Sequence, residues 1–513
     1  MGVPDRERPA RGDGPRHKHE RRALLHPEGD LDDRERSLLR GEGRMRKGDA
    51  DAAEPQIGEG RPPHQDRSRH AGRCLMHELI EKARRSVDGA ELYWKRDHTI
   101  SVRYENYRLQ GMTEDELSSV ALRVIAGARL GATYGVNPEE PGLIEQAKQA
   151  ARFGDEAGFS FAGKADYESV ENYDKRSEAL TSADLVALCE RVKERIAEER
   201  PEIPLFIVAG ATKRDLVVET TAGAAGRDTS TRVTLGFGAP IKGAGIGVYK
   251  SDASVSPLDL DPALIDEFLE WYGWTENKST PKTGRLPIIL APEAAYLFLL
   301  PLAAGLSGEA VEKGTSPLID KIGERIVSER LTVIDDPLRD GDPGSRPFDD
   351  EGVPCRRRPL LDAGVLTDYL TDLRTGAALG RPSTGNGLKR ELFGGGTETR
   401  PNPWPVNITV EPGDTPYREM ISSLDEGLLV TGGMGFHSGN YPQGEFAVQA
   451  IGFHIKNGKV VGRLDRTMIS GNIYKDFKDV AAVSRERRLG LGGMLPGGPV
   501  PYILVDSLRV AGE

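Results

Sequence analysis

The sequence has little of what marks several common functional classes. Its three cysteines, Cys74, Cys189 and Cys355, form no Cys-x-x-Cys pair, so nothing signals a zinc ribbon or a disulfide scaffold, and a reducing compartment is favoured. No apolar run reaches the roughly 18 residues of a membrane-spanning helix. Lys and Arg total 69 against 80 Asp and Glu, a formal net charge of -11, which argues against a generic nucleic-acid binder. We therefore expect a cytoplasmic protein with neither a membrane nor a nucleic-acid partner.

Familiar catalytic fingerprints are also missing. No G-x-S-x-G elbow occurs, which weakens a serine-hydrolase interpretation. Gly394–Gly396 and Gly432–Gly433 lack the spacing of phosphate-binding loops. The run Asp349–Glu351 has the composition of paired acid-base catalysts, but its setting before Gly-Val-Pro favours a solvated turn. Cys355 precedes three arginines, which favours a lowered thiol pKa; an ordinary cysteine beside solvated arginines is the preferred interpretation.

The first 75 residues contain no Phe, Trp or Tyr and are crowded with Arg, Asp, Glu, Gly and Pro. Such a segment cannot bury enough apolar surface to offset the entropy lost on ordering. We expect residues 1–75 to be a disordered extension, or an upstream stretch read from an early start codon with Met76 as the natural start.

The remaining chain alternates strand-like and helix-like patterns and predicts an α+β fold. Strand patterns include Ala90–Trp94 and Thr99–Tyr104, and Ala126-Gly127-Ala128 and Asn457-Gly458 predict tight hairpins. The polar, turn-rich stretch Asn277–Gly284 predicts a domain boundary. We expect residues 76–284 to form an antiparallel sheet with flanking helices, and residues 285–513 to form a β-rich, barrel-like domain.

An apolar segment follows this boundary. The β-rich run Leu286–Leu290 leads into an apolar helix that begins after Pro292, a residue suited to a first helical turn, and ends near Gly305. Further segments from about Met76 to Gly512 form an ordered series, of which the most specific is Pro347–Pro354, followed by Gly364–Leu370. The others include Lys313–Ser316, Ser383–Gly387, Pro401–Pro403, Asn407–Ile408, Glu411–Gly413, Gly427–Thr431, Gly439–Gly444, Gly452–Phe453, Asn457–Gly458 and Ile469–Asn472. In order and spacing this series resembles the TldD/PmbA metallopeptidase family, also called the modulator of DNA gyrase family.

The resemblance implies a two-subunit peptidase. In that family a catalytic subunit, TldD, and a related subunit, PmbA or TldE, are thought to enclose a chamber for unfolded peptides. The apolar helix of catalytic members carries His-Glu-x-x-x-His, whose two His and a Cys near the C-terminus hold the metal, with the Glu as general base. Such a site needs neutral imidazoles and a thiolate around one cation, with a position left open for water.

This sequence departs from the family motif at each of those positions. Anchored on Lys313–Ser316, the motif window places Leu299, Leu300 and Ala304 where His, Glu and His stand in catalytic members. Residues 489–513 contain no cysteine, and Pro301 inside the window predicts a kinked helix.

Resemblance to the PmbA (TldE) type implies a non-catalytic subunit without a metal of its own. Zinc is then expected in a TldD-like catalytic partner. The chain would pair with that subunit as a heterodimer, or with itself as a homodimer, and would act on unfolded or natural-product peptides. We expect peptides to bind by strand addition, and the candidate groove residues are His437, Gly439, Tyr441 and Glu445.

Two alternatives stay open. One is an independent metallopeptidase with non-standard ligands, for which His437, Glu445 and His454 are a conceivable set; an ordinary loop and an ordinary strand histidine are preferred. The other is a stand-alone, homodimeric peptide-binding protein.

Overall fold

The computed structural model of the chain describes residues 76–241, 247–392, 394–435, 439–490, 495 and 497–512. Residues 1–75 and the predicted groove residue His437 lie outside the described residues. The α+β prediction is confirmed, because an antiparallel sheet is followed along the chain by a closed barrel of five strands. The predicted domain boundary near residue 284 stays a prediction.

Six strands form the N-terminal sheet, in the order β3-β2-β1-β4-β5-β6 with every neighbouring pair antiparallel. Their bounds are β1 Gly89–Glu105, β2 Arg108–Ala126, β3 Arg129–Gly135, β4 Phe206–Thr220, β5 Ala225–Pro240 and β6 Gly247–Ser254.

Strand β1 corrects a prediction. It includes both Ala90–Trp94 and Thr99–Tyr104 in one continuous strand, so the prediction of two short strands was wrong. The polar residues between them form no turn, because they pair across the sheet: the Arg214 guanidinium donates two hydrogen bonds to the Asp97 carboxylate, at 2.6 and 3.0 Å.

Helices pack on one face of this sheet. They are α1 (residues 76–84), α2 (Leu143–Ala151), the short α3 (Lys175–Glu178), α4 (Ser182–Glu199) and α5 (Pro262–Trp274). Helix α4 begins with a capping box in which Thr181 and Asp184 each bond the other's backbone N–H. Its buried stripe, which includes Val192, shares one apolar cluster with Ile207 and Leu235 of the sheet.

The barrel is closed by hydrogen bonding in the order β17-β8-β22-β20-β18 and back to β17. Closure leaves no open edge within the ring. The barrel strands are β8 Gly284–Leu290, β17 Glu426–Met434, β18 Glu445–Lys456, β20 Met468–Asn472 and β22 Val500–Ala511. Attached to them are β7 Lys278–Ser279, β19 Lys459–Leu464 and β21 Val480–Arg488.

Short elements fill the stretch between β8 and β17. The strands are β9 Val333–Asp335, β10 Arg358–Asp362, β11 Val365–Leu366, β12 Gly387–Leu388, β13 Arg390–Glu391, β14 Gly394–Gly395, β15 Asn402–Pro403 and β16 Ile408–Val410. The helices are α6 Tyr296–Leu306, α7 Gly308–Glu312, α8 Leu373–Ala378 and α9 Tyr417–Ser422. Helix α10 Ile473–Asp476 follows β20.

Both predicted hairpin turns are confirmed. Gly127 and Ala128 have φ angles of +59° and +62°, and Asn457 and Gly458 have +49° and +72°. Two consecutive left-handed residues give the turn whose twist matches that of paired strands. Across the described parts of the chain, no helix has the length and apolar character needed to cross a membrane.

Candidate functional site

The apolar helix lies where the sequence predicts it, but a short 3-10 turn precedes the α-helix. Pro292–Ala294 forms a 3-10 turn and Tyr296–Leu306 forms α6. The helix continues through Pro301, which supplies no N–H for the carbonyl of Leu297; whether it is kinked there stays a prediction.

The motif window is built from alkyl side chains. Leu299 and Leu300 are fully buried in one cluster with barrel residues such as Ile288 and Leu428, and Ala304 is half-buried. Such side chains offer no nitrogen, oxygen or sulfur atom, so the window does not fit the metal that the family motif implies.

Gly490 has no room for a larger side chain. A Cβ atom added at Gly490 would lie 2.3 Å from the carbonyl carbon of Pro292, so the backbone there packs directly against the start of the 3-10 turn. Within the described residues, no group of three His, Cys, Asp or Glu is arranged to hold a metal ion.

The alternative ligand set is not brought together where the structure describes it. His454 is fully buried; its Nδ1 lies 2.8 Å from the Ser279 hydroxyl and its Nε2 lies 3.2 Å from a Glu426 carboxylate oxygen. Burial lowers the pKa of this imidazole, against the effect of the Glu426 hydrogen bond. Glu445 begins the same strand, and nine residues of strand span roughly 30 Å at about 3.3 Å each, too far for one metal ion.

A cleft of about 590 Å³ opens beside the end of α6. It brings the window residue Ala304 together with two predicted groove residues, Gly439 and Tyr441. Glu445, the other described groove residue, has an exposed side chain and does not line the cleft; its backbone N–H donates to the Asn440 carbonyl at 3.1 Å. The other lining residues come from α6, α7, β13, β15 and their flanks, and include Ala303, Glu309, Lys313, Arg390, Leu392, Arg400, Trp404 and Pro442.

Gly305 sets how closely α6 approaches the segment that carries Tyr441. A Cβ atom at Gly305 would lie 2.0 Å from the Tyr474 hydroxyl and 3.2 Å from the Pro442 carbonyl. Tyr441 is 5% exposed, and burial raises the pKa of its phenol to about 12. It therefore stays neutral and gives the cleft a largely apolar wall.

The cleft has a charged rim. Glu309 accepts from Arg400 at 2.5 Å and from Lys313 at 2.8 Å. With the aromatic ring of Trp404 and the phenol of Tyr441 on its walls, the cleft combines apolar surface with paired charges. This combination suits an extended peptide, whose backbone is polar and whose side chains vary.

The run Asp349–Glu351 corrects a second prediction. The solvated-turn interpretation was wrong, because Asp349 and Glu351 are 0% exposed and Asp350 is 6% exposed. The Asp349 carboxylate accepts hydrogen bonds from the backbone N–H groups of Glu351, Val353 and Gly387, at 3.0, 2.9 and 2.8 Å. The run is thus a buried junction in the C-terminal part of the chain.

Glu351 connects this junction to the N-terminal sheet. Its carboxylate accepts from Arg123 of β2 at 2.8 Å, and the same guanidinium donates to Glu91 of β1 at 2.6 and 2.8 Å. Burial raises the pKa of Glu351 to about 8, against the effect of Arg123. Repulsion from the carboxylates of Asp372, Asp349 and Glu91 acts in the same direction as burial, so a proton on Glu351 relieves it.

Cys355 is not an activated thiol. It is 2% exposed, and its Sγ lies 3.5 Å from the Gly385 carbonyl. Burial raises its pKa well above the usual value, so the lowered pKa considered from the three arginines is excluded.

The C-terminal part of the chain matches a defined family domain. The PmbA/TldA metallopeptidase C-terminal domain is recognised over residues 283–512, which includes the window, the cleft and the barrel. A metalloprotease of Methanothermobacter thermautotrophicus is 34% identical over 246 residues, 46% of this chain and 52% of that protein. Residues 283–512 of this chain therefore carry the C-terminal domain of the TldD/PmbA family. The chain spans about half the length of the curated relatives it matches.

Both branches of the TldD/PmbA family are among its relatives. A zinc metalloprotease TldD homologue of Saccharolobus solfataricus is 29% identical, over 46% of this chain and 53% of that protein. The crystal structure of TldE from Thermococcus kodakarensis superposes with a TM-score of 0.74 at 25% identity, covering 85% of this chain and 100% of that one. A putative modulator of DNA gyrase from Thermotoga maritima, at 23% identity and a TM-score of 0.72, shares the fold over 86% of this chain and 100% of that one.

Proposed function

We propose that this chain is the PmbA/TldE-type subunit of a two-subunit metallopeptidase, itself metal-free and non-catalytic, whose TldD-like partner holds zinc. The observation that carries the proposal is the motif window: Leu299, Leu300 and Ala304 offer alkyl groups where a catalytic member offers two imidazoles and a carboxylate. The cytoplasmic location and the peptide substrates expected from the sequence belong to the same proposal.

The cleft beside Ala304 gives this subunit a physical role. It adjoins Ala304, the last position of the motif window, and its walls carry Tyr441, Trp404 and paired charges. We assign it the task of holding an extended peptide segment while the partner subunit cleaves.

Short strands beside the cleft support binding by strand addition. β13 contributes Arg390 and Glu391 to the lining and pairs with β14 in a ribbon of two strands, while β15 forms a second such ribbon with β12. Among the described residues neither ribbon joins a larger sheet, so peptide backbone can add to an edge without displacing a core strand.

Filling the cleft tests this role. In a complex co-purified with a paralogue that carries His-Glu-x-x-x-His, Ala304→Trp in this chain should lower cleavage of an unfolded peptide by about tenfold or more, because an indole occupies space needed by the substrate. Ala187→Trp, at an exposed position of α4, is the matched control and should leave cleavage unchanged.

Subunit stoichiometry is measured on the same preparations by light scattering. Full cleavage by an intact Ala304→Trp complex would show that this cleft does not hold the substrate and would overturn the assigned role.

A further inference from the structure

The face of the N-terminal sheet opposite the helices carries a second, larger cleft of about 810 Å³. Strand register places alternate residues of β4 and β5 on this face, with Thr212 opposite Arg232 and Gly210 opposite Thr234. Gly210 has no side chain, and the side chains of Thr212 and Thr234 project little from the backbone, so the sheet surface is accessible there. The facing wall includes residues 343, 344, 346, 388–390 and 394–396.

Cations dominate the lining of this cleft, although the chain as a whole has a net charge of -11. Its carboxylates are Asp252 and Asp350, against six basic side chains: Lys95, Arg214, Arg232, Arg346, Lys389 and Arg390. A concave surface of one sign concentrates ligands of the opposite sign.

Among the described residues, part of this positive charge has no carboxylate of its own at ion-pair distance. One carboxylate, that of Asp97, is shared by two cations: it accepts a hydrogen bond from the Arg214 guanidinium at 2.6 Å and lies 3.5 Å from the Lys95 ammonium. The Lys389 ammonium donates to the neutral carbonyls of Thr397 and Thr399, at 3.1 and 3.2 Å.

Arg232 adds a further positive charge. It is exposed, and no ion pair to it exists within the described ranges. Arg346 is the contrasting case, because its guanidinium is paired with Asp350 at 2.7 Å. The cleft as a whole therefore has an excess of positive charge.

One end of the same sheet face is apolar. Val208 is 41% exposed and Tyr249 is 50% exposed, and Tyr249 packs against Phe206 with ring centroids 5.4 Å apart. From Arg214 to Val208 along β4 is six residues, roughly 20 Å at about 3.3 Å each. An extended peptide of similar length would reach from the cations to this apolar end.

We infer that this cleft binds acidic peptide segments, in extended form, with carboxylates on Lys95, Arg214 and Arg232 and an apolar side chain on Val208 and Tyr249. The peptide nature of the ligand rests on the proposed function. Arg390 lines both this cleft and the smaller one beside Ala304, so a peptide held on the sheet face would lie next to the proposed substrate site.

Fluorescence anisotropy on the full chain alone tests the inference. The probe is a labelled Gly/Ser peptide that carries a pair of Glu residues and, six positions away, one Leu; a second probe has Gln in place of Glu. The Glu probe should bind about fivefold or more tightly, and its advantage should shrink as salt screens the charges.

Variants of exposed arginines localise the binding. Arg232→Gln should weaken binding of the Glu probe about fivefold and leave the Gln probe unchanged. Arg152→Gln is the matched control, since Arg152 is exposed, lies outside the cleft lining and forms no ion pair within the part of the chain that the structure describes. Val208→Ser should weaken both probes equally.

Three results would overturn the inference: equal binding of the Glu and Gln probes, equal loss in Arg152→Gln, or binding of inorganic polyphosphate as tight as that of the Glu probe, which would indicate a general polyanion site. Because the assay needs no catalytic partner, its outcome is separate from that of the proposed function. If the mixed complex is inactive, the proposed function fails but peptide binding at this cleft is untouched. If the mixed complex is active, that result says nothing about binding at this cleft.

Discussion

Arg123 donates to two buried carboxylates, Glu91 and Glu351, that lie 260 residues apart in the chain. Neither the ion pair between Arg123 and Glu351 nor its burial could be predicted from the sequence, because an acidic run before Gly-Val-Pro has the composition of a surface turn. What overrides that composition is a partner on a distant strand, and one sequence gives no signal for such a partner.

The raised pKa of Glu351 predicts a specific pH dependence of stability. The folded-state pKa is raised from 4.5 to about 8, so the folded state binds more protons than the unfolded state between these values. The stabilisation is complete below about pH 4.5 and is lost as the pH rises through about 8.

Glu351→Gln should remove this contribution. Between pH 5 and pH 8.5, the free energy of unfolding of the Glu351→Gln variant should fall less than that of the natural chain. The difference should be of order 1–3 kcal/mol, because one pKa unit corresponds to about 1.4 kcal/mol. Urea unfolding followed by circular dichroism at several pH values measures it. Glu329→Gln, at an exposed carboxylate, should keep the natural slope; parallel slopes for Glu351→Gln and the natural chain would refute the argument.

At the scale of elements, the contact between α6 and the segment at Pro442 positions the cleft. Turns and caps were predictable, since Asn457-Gly458 and the Thr181 capping box act through neighbours in sequence. The length of β1 was not predictable, because its polar middle is explained by pairing with Arg214 on a strand more than a hundred residues away.

Gly305→Ala tests this contact. Alanine favours a helix over glycine by about 1 kcal/mol, but the added Cβ would meet the Tyr474 hydroxyl at 2.0 Å. Overpacking of this kind costs about 1–3 kcal/mol, so we expect a net loss in the free energy of unfolding, measured in urea.

Removing the clashing hydroxyl supplies the control for that experiment. The Tyr474 hydroxyl is buried without a hydrogen-bond partner among the described residues, so Tyr474→Phe alone should change stability little. The double variant Gly305→Ala, Tyr474→Phe should regain most of what Gly305→Ala loses. If the two substitutions are simply additive, the clash is not the cause.

At the scale of the whole molecule, two clefts meet at Arg390 on a chain that is acidic overall. The α+β class, the barrel and the C-terminal family domain were predictable, because strand patterns and ordered glycine-rich motifs are read along the chain. Tyr441 and Gly439 line the cleft beside Ala304, and their role in peptide binding stays a prediction. The basic cleft was missed, since its residues come from strands and loops far apart in sequence.

The central claim is that this chain has no peptidase activity alone and takes part in peptide cleavage only when paired with a TldD-like catalytic subunit. The most direct measurement is zinc content together with peptidase activity, on the purified chain alone and after co-expression with a paralogue that carries His-Glu-x-x-x-His. We expect the lone chain to be metal-free and inert, and the mixed complex to hold about one zinc per pair and to cleave unfolded peptides. A lone chain that binds zinc stoichiometrically and cleaves peptides would contradict the account.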